Sequence, residues 1–248
     1  MFTPADRERA RDHVLRLAKA DPRIVAGAVV GSLAGGEGDR WSDLDLSFGV
    51  TEAVPVLEVL EDWTQDLIAR LEAISLFDVT SGGFLYRVFL LPGCLQLDLS
   101  LAPASRFGAR GPRFQLLFGK AETQPYAQEA PSHEMFGHAA HHALRAWVCI
   151  ERGRYWQAEY WISALRDLAL SLACRRRGLP ASYGRGFDDL PHDVHRALDA
   201  ALVTSLEPDE LRRAWGVAVE ALLRESGDES GDLPDLAAKV GTRLRGLA

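Results

Sequence analysis

Alternation of apolar and polar positions is sharpest at Cys94–Leu101. There Leu95, Leu97, Leu99 and Leu101 interleave with Gln96, Asp98 and Ser100, the signature of a half-buried strand. Upstream, Leu44, Leu46 and Phe48 interleave with Asp43 and Asp45. A strand here turns its apolar residues to a core and both carboxylates to the other side. The apolar run Ile24–Val30 reads as a buried strand ending at Gly31-Ser32, and Gly35–Asp39 reads as a flexible loop. Further strands are predicted near Leu76–Thr80 and Phe84–Leu91, with Ser81-Gly82-Gly83 and Pro92-Gly93 as hairpin turns. A first helix is predicted from Thr3 as cap, Pro4 at its first position and Asp6 closing a capping box, to about Ala20. A second spans Pro55 to about Ile74, with Leu57, Leu60, Trp63, Leu67 and Leu71 on one face.

The pattern changes after the last strand. Residues 103–131 hold Pro103, Pro112, Pro125 and Pro131, with one short apolar stretch at Phe114–Phe118. From Ser132 onward the period is helical: Ser132–Arg152, Tyr155–Arg177, Asp193–Thr204, Pro208–Glu225 and Pro234–Leu247 read as helices. Asp228–Asp232 reads as a polar loop. The predicted class is α+β: a mixed β-sheet with helices over residues 1–105, a connector over 106–131, and an all-α bundle over 132–248.

Composition narrows the function classes. The 248 residues are 47% hydrophobic and 25% charged, ordinary for a globular protein. No apolar run approaches the ~20 residues of a membrane span, and the charged N-terminus lacks a signal-peptide core. Cys94, Cys149 and Cys174 lack metal-ligand spacing, so reduced, buried cysteines in a cytoplasmic protein are expected. The formal net charge of −7 speaks against a nucleic-acid partner, which calls for a basic footprint.

The carboxylates carry the chemistry. Asp43 and Asp45 repel each other unless a cation sits between them. Hard oxygen ligands with room for phosphates and water suit Mg²⁺. If the Asp98 strand lies beside theirs, three carboxylates form a cluster able to hold two metal ions. The Gly31-Ser32 turn can bring backbone N–H groups and a hydroxyl to a phosphate.

Gly31-Ser32, Asp43-x-Asp45 and a later strand carrying Asp98 together resemble the signature of the nucleotidyltransferase superfamily, and among its members the bacterial antibiotic enzymes of the kanamycin and lincosamide type. The motifs cover roughly the first hundred residues; the helical half is similar only in general pattern. The resemblance implies an N-terminal catalytic domain and a helical substrate-binding domain. It also implies two Mg²⁺ ions on Asp43, Asp45 and Asp98, with Gly31 and Ser32 on the triphosphate. A nucleoside monophosphate, AMP foremost, would pass from the triphosphate to a small-molecule hydroxyl, with release of pyrophosphate. A homodimer stays open, because some members share a cleft between subunits. Three other readings also stay open: modification of a partner protein, modification of RNA, and nucleotide binding without catalysis.

Other residues are weighed one by one. Arg87, in an otherwise apolar strand, either points to solvent or neutralises a phosphate or fixes a carboxylate. Asp39, Arg40 and Ser42 border the loop and can contact phosphates, although Ser42 reads better as a turn residue. Glu159, Ser163 and Arg166 share one helical stripe, either a salt-bridged surface or the place of an acid that takes the acceptor's proton. Glu159 is the candidate base, with Glu151 and Glu134 behind it. His138, His141 and His142 have zinc-compatible spacing but read better as a polar patch. Tyr183–Asp189 reads as a helix–helix connector or an acceptor loop.

Overall fold

The computed structural model describes residues 1–36, 38–122, 125, 130–227 and 232–247. The predicted loop at 228–231 lies outside them. The described residues form a mixed sheet with helices, followed by a helical region of five helices. The chain divides into two compact units, Met1–Gln128 and Glu129–Ala248.

In the first unit, helix α1 (Pro4–Ala20) starts at the expected capping box, with Thr3 and Asp6 satisfying each other's backbone N–H. Strand β1 (Ile24–Val30) leads into a one-turn helix, α2 (Gly31–Ala34). Strand β2 (Leu44–Val50) precedes helix α3 (Val56–Leu71). Strands β3 (Ile74–Ser81), β4 (Phe84–Leu91) and β5 (Leu95–Pro103) follow, then β6 (Phe114–Phe118). The sheet order is β3-β4-β5-β2-β1-β6. Only β2 and β5 pair in parallel; the other neighbours are antiparallel. Within the 106–131 stretch, Phe114–Phe118 therefore belongs to the sheet, as the strand beyond β1.

The two sheet faces differ. One carries Leu44, Leu46, Phe48, Leu97, Leu99 and Leu101, all fully buried with Val14 of α1 and Leu60, Trp63 and Leu67 of α3. Each such side chain contributes about 1.5–3 kcal/mol by leaving water. Phe48 meets Trp63 edge-on, ring centroids 5.1 Å apart. On the opposite face the two central strands carry small or polar residues: Asp45, Ser47 and Gly49 on β2 stand beside Asp98, Ser100 and Ala102 on β5. Phe107 from the β5–β6 connection covers its far end, packed with Ala26, Ala28, Phe84 and Ala102.

Three expectations need correction. Leu57 is half exposed, so the α3 stripe starts later. Cys94 is exposed, set at φ 62° in the tight β4–β5 turn, whereas Cys149 and Cys174 are buried. The helix expected to reach Thr204 ends at Asp199. There the Ala200 and Leu202 carbonyls accept from Arg213, and Thr204 is held by Glu210 at 3.0 and 2.9 Å, so the turn is fixed by side chains.

In the second unit, α4 (Ser132–Glu151), α5 (Tyr155–Arg176), α6 (His192–Asp199), α7 (Pro208–Gly227) and α8 (Leu233–Arg245) pack around a shared core. Trp215 of α7 is buried there and donates its indole N–H to the Ala143 carbonyl at 2.8 Å. No helix of the described residues is long and apolar enough to cross a membrane.

Candidate active site

The parallel register of β2 and β5 sets Asp45 directly beside Asp98. Asp43 precedes the first ladder residue, Leu44, and so lies just outside the strand that the alternation gave it. All three carboxylates still converge: one ligand oxygen from each lies within 4.8 Å of the others, and all three residues are half-buried. Among the described residues this is the only group of three or more metal-ligating side chains so placed.

Charge is disfavoured at one member of the cluster. Burial pushes the Asp98 carboxyl above its ordinary pKa, because a charged form loses hydration. The charge of Asp43 pushes the same way, and a hydrogen bond from the Gln96 amide, 2.9 Å away, partly opposes it. A divalent cation with oxygen ligands suits these three carboxylates.

Gly31 borders the cluster. Its φ of 71° is in the left-handed region, and a Cβ there would collide with the Asp45 carboxylate. The Gly31 N–H donates to the Arg113 carbonyl at 3.2 Å, tying the turn to the start of β6. Ser32 follows, its Oγ shut off from solvent and without a hydrogen-bond partner among the described residues. A buried hydroxyl left unpaired costs about 1–3 kcal/mol, and a ligand oxygen would satisfy it. The three carboxylates could hold a divalent cation. A cavity of about 360 Å³ lined by Phe2, Asp39, Trp41, Ser42, Asp43, Cys94 and Gln96 opens at Asp43.

The remaining candidates divide. Ser42 is a turn residue: its Oγ accepts from the Asp39 N–H at 2.9 Å and donates to Asp39 Oδ1 at 3.1 Å. Arg87 is no phosphate ligand here. Its register partner Leu99 belongs to the buried apolar face, so Arg87 points away from the carboxylates. It is buried and bonded to Asp78 at 2.7 and 2.6 Å, Glu61 at 2.8 Å and Thr64 at 2.8 Å. Of its expected roles it fills one, fixing carboxylates.

In the second unit, Glu159 is half-buried and accepts from Ser163 Oγ at 2.7 Å. Arg166 pairs with Asp167, and Glu151 is taken by Arg212 at 3.1 Å. His138, His141 and His142 do not converge on a common point as metal ligands. His142 packs on Trp161, centroids 4.9 Å apart, and its burial lowers its pKa. Residues 183–189 join α5 to α6.

One residue was missed. Arg7 sits on the buried stripe of α1 with Ala10, Val14 and Ala18. The signal was present as a lone arginine at an apolar i, i+3, i+7, i+11 face.

No protein-family model matches the chain, and no curated protein does. Among solved structures, the chain is similar to an aminoglycoside 6-adenyltransferase from Bacillus subtilis, at 14% identity over 95% of this chain and 97% of that one, with a TM-score of 0.37.

Proposed function

We propose that this protein is an Mg²⁺-dependent nucleotidyltransferase that moves AMP from ATP to a hydroxyl of a small molecule. The observation that carries the reading is the convergence of Asp43, Asp45 and Asp98 beside a glycine turn with an unpaired serine hydroxyl. The 360 Å³ cavity against Asp43 is the size of a small-molecule site, and the acidic net charge of −7 suits a neutral or cationic acceptor. Aminoglycoside- and lincosamide-like antibiotics are the first acceptors to test.

Asp43, Asp45 and Asp98 hold the divalent cations. When bound, these supply charge neutralisation on the triphosphate and stabilise the entering and leaving oxygens. Ser32 Oγ donates to a triphosphate oxygen, and Gly31 lets the turn lie against Asp45. The acceptor oxygen bonds to the α-phosphorus as the bond to the bridging oxygen breaks and pyrophosphate leaves. The acceptor hydroxyl gives its proton to a general base as its oxygen bonds to phosphorus. These residues work by positioning and electrostatics, as in phosphoryl transfer generally.

Incubation with Mg²⁺, each α-labelled nucleoside triphosphate and pooled acceptors tests the proposal. Label in a small-molecule product, lost in Asp43→Asn, supports it. Label on protein or RNA alone replaces the acceptor class, and no transfer with any pool rejects the proposal.

A further inference from the structure

Asp43 presents a positional problem. The β2–β5 ladder fixes Asp45 and Asp98, but its first pair is Leu44 with Leu97, one residue beyond Asp43. Strand pairing therefore does not hold the first of the three carboxylates. The turn before it does part of this work. Asp39 Oδ1 accepts from the Trp41 N–H at 2.8 Å and from Ser42 Oγ at 3.1 Å. These bonds make the turn rigid within itself but do not attach it to the rest of the unit.

The attachment comes from Arg7. Its side chain is only 7% exposed. Its Nη1 donates to the Asp39 carbonyl at 2.8 Å and to the Ser42 carbonyl at 2.6 Å, the two ends of that turn. Ser42 is the residue before Asp43. A cation in the first turn of a helix opposes the helix dipole, and burying a charge costs free energy unless it is well bonded. Both penalties fall on one position of α1, whose other stripe residues are Ala10, Val14 and Ala18. Its Nε is buried without a partner among the described residues, so the guanidinium is not placed there for its own satisfaction.

We propose that Arg7 is a positioning residue that holds the 39–42 turn against α1 and thereby sets Asp43 in the carboxylate cluster. This rests on the reading of the cluster as a cation site. Arg7 touches no substrate. It acts through two backbone carbonyls, both accepting from the one Nη1, whose N–H directions are fixed by the planar guanidinium.

The test measures Mn²⁺ binding to the full chain by calorimetry, alongside thermal melting. Wild type is expected to bind Mn²⁺, and Arg7→Ala to bind it about tenfold more weakly while remaining folded, a displaced ligand costing of this order. Free guanidinium ion, added at millimolar concentration, is expected to restore Mn²⁺ affinity in Arg7→Ala and to leave Asp43→Asn unchanged; a general loss of stability would not respond in this way. Should Arg7→Ala not fold, Arg7→Lys carries the test, keeping the charge with a poorer fork and binding Mn²⁺ at an intermediate affinity. A folded Arg7 variant with wild-type Mn²⁺ affinity overturns the proposal alone. Absence of Mn²⁺ binding in wild type overturns the cluster reading and the proposal with it.

Discussion

Gly31 and Asp45 are in direct apposition: a Cβ on Gly31 would collide with the Asp45 carboxylate and stand 2.9 Å from its Cγ. The turn at the end of β1 and the carboxylate on β2 are thus one construction. Gly31→Ala should cost about 1 kcal/mol in backbone strain, from the left-handed φ. The larger effect falls on function, because Asp45 must rotate away. A ligand misplaced by about 1 Å can cost on the order of 100-fold in rate. Paired melting and transfer assays check this; equal, small losses in both would contradict it.

Burial works against charge on Asp98. Its pKa is raised in the folded state by burial and by Asp43. Between the ordinary carboxyl value near 3.8 and the raised one, the native chain binds more protons than the unfolded chain. Stability therefore falls as pH rises through that window. Asp98→Asn should raise the metal-free melting temperature at neutral pH, with the gain vanishing below the unfolded pKa, and should weaken cation binding. Melting curves across the acid range read the effect, and a lower melting temperature at pH 7 would refute it.

Asp21 behaves in the opposite sense. Bonds from Arg23, and one from the Trp63 indole at 2.9 Å, hold its pKa at about 2 against an ordinary 3.8. That stabilisation is present above the unfolded pKa and is lost as pH falls towards 2. Asp21→Asn should cost about 1–2 kcal/mol at pH 7, after allowance for solvent screening. It should cost nothing extra at the acid end. Urea melts at the two pH values would show the difference.

Arg87→Met separates structure from chemistry. It removes a buried guanidinium from Asp78, Glu61 and Thr64, and the two carboxylates left behind reach solvent. A loss of about 2 kcal/mol is expected, with metal affinity unchanged in the folded protein, since Arg87 lies on the other sheet face. Reduced Mn²⁺ affinity at full stability would reinstate Arg87 as part of the site.

Much of this was legible wherever one physical period dominated. The β5 alternation placed Leu95, Leu97, Leu99 and Leu101 in the core and Asp98 opposite them, because one face of that strand is wholly buried and the other is open at Gln96 and Asp98. The β4 limits, Phe84–Leu91, were likewise plain. What failed depended on partners distant in sequence. Phe114–Phe118 shows no alternation, and it becomes a strand by pairing with β1. The role of Arg87 needed Asp78 and Glu61 across a hairpin and a helix. Arg7 reaches carbonyls 32 and 35 residues away, and its pattern within α1 shows only that it is buried.

We propose that Asp43, Asp45 and Asp98 form one divalent-cation site. A calorimetric titration of Mn²⁺ into the wild-type chain, and into each single Asp→Asn variant, tests it most directly. Saturable binding is expected in wild type, weakened by each of the three substitutions while the proteins stay folded. No binding in wild type, or binding that survives all three substitutions, would contradict it.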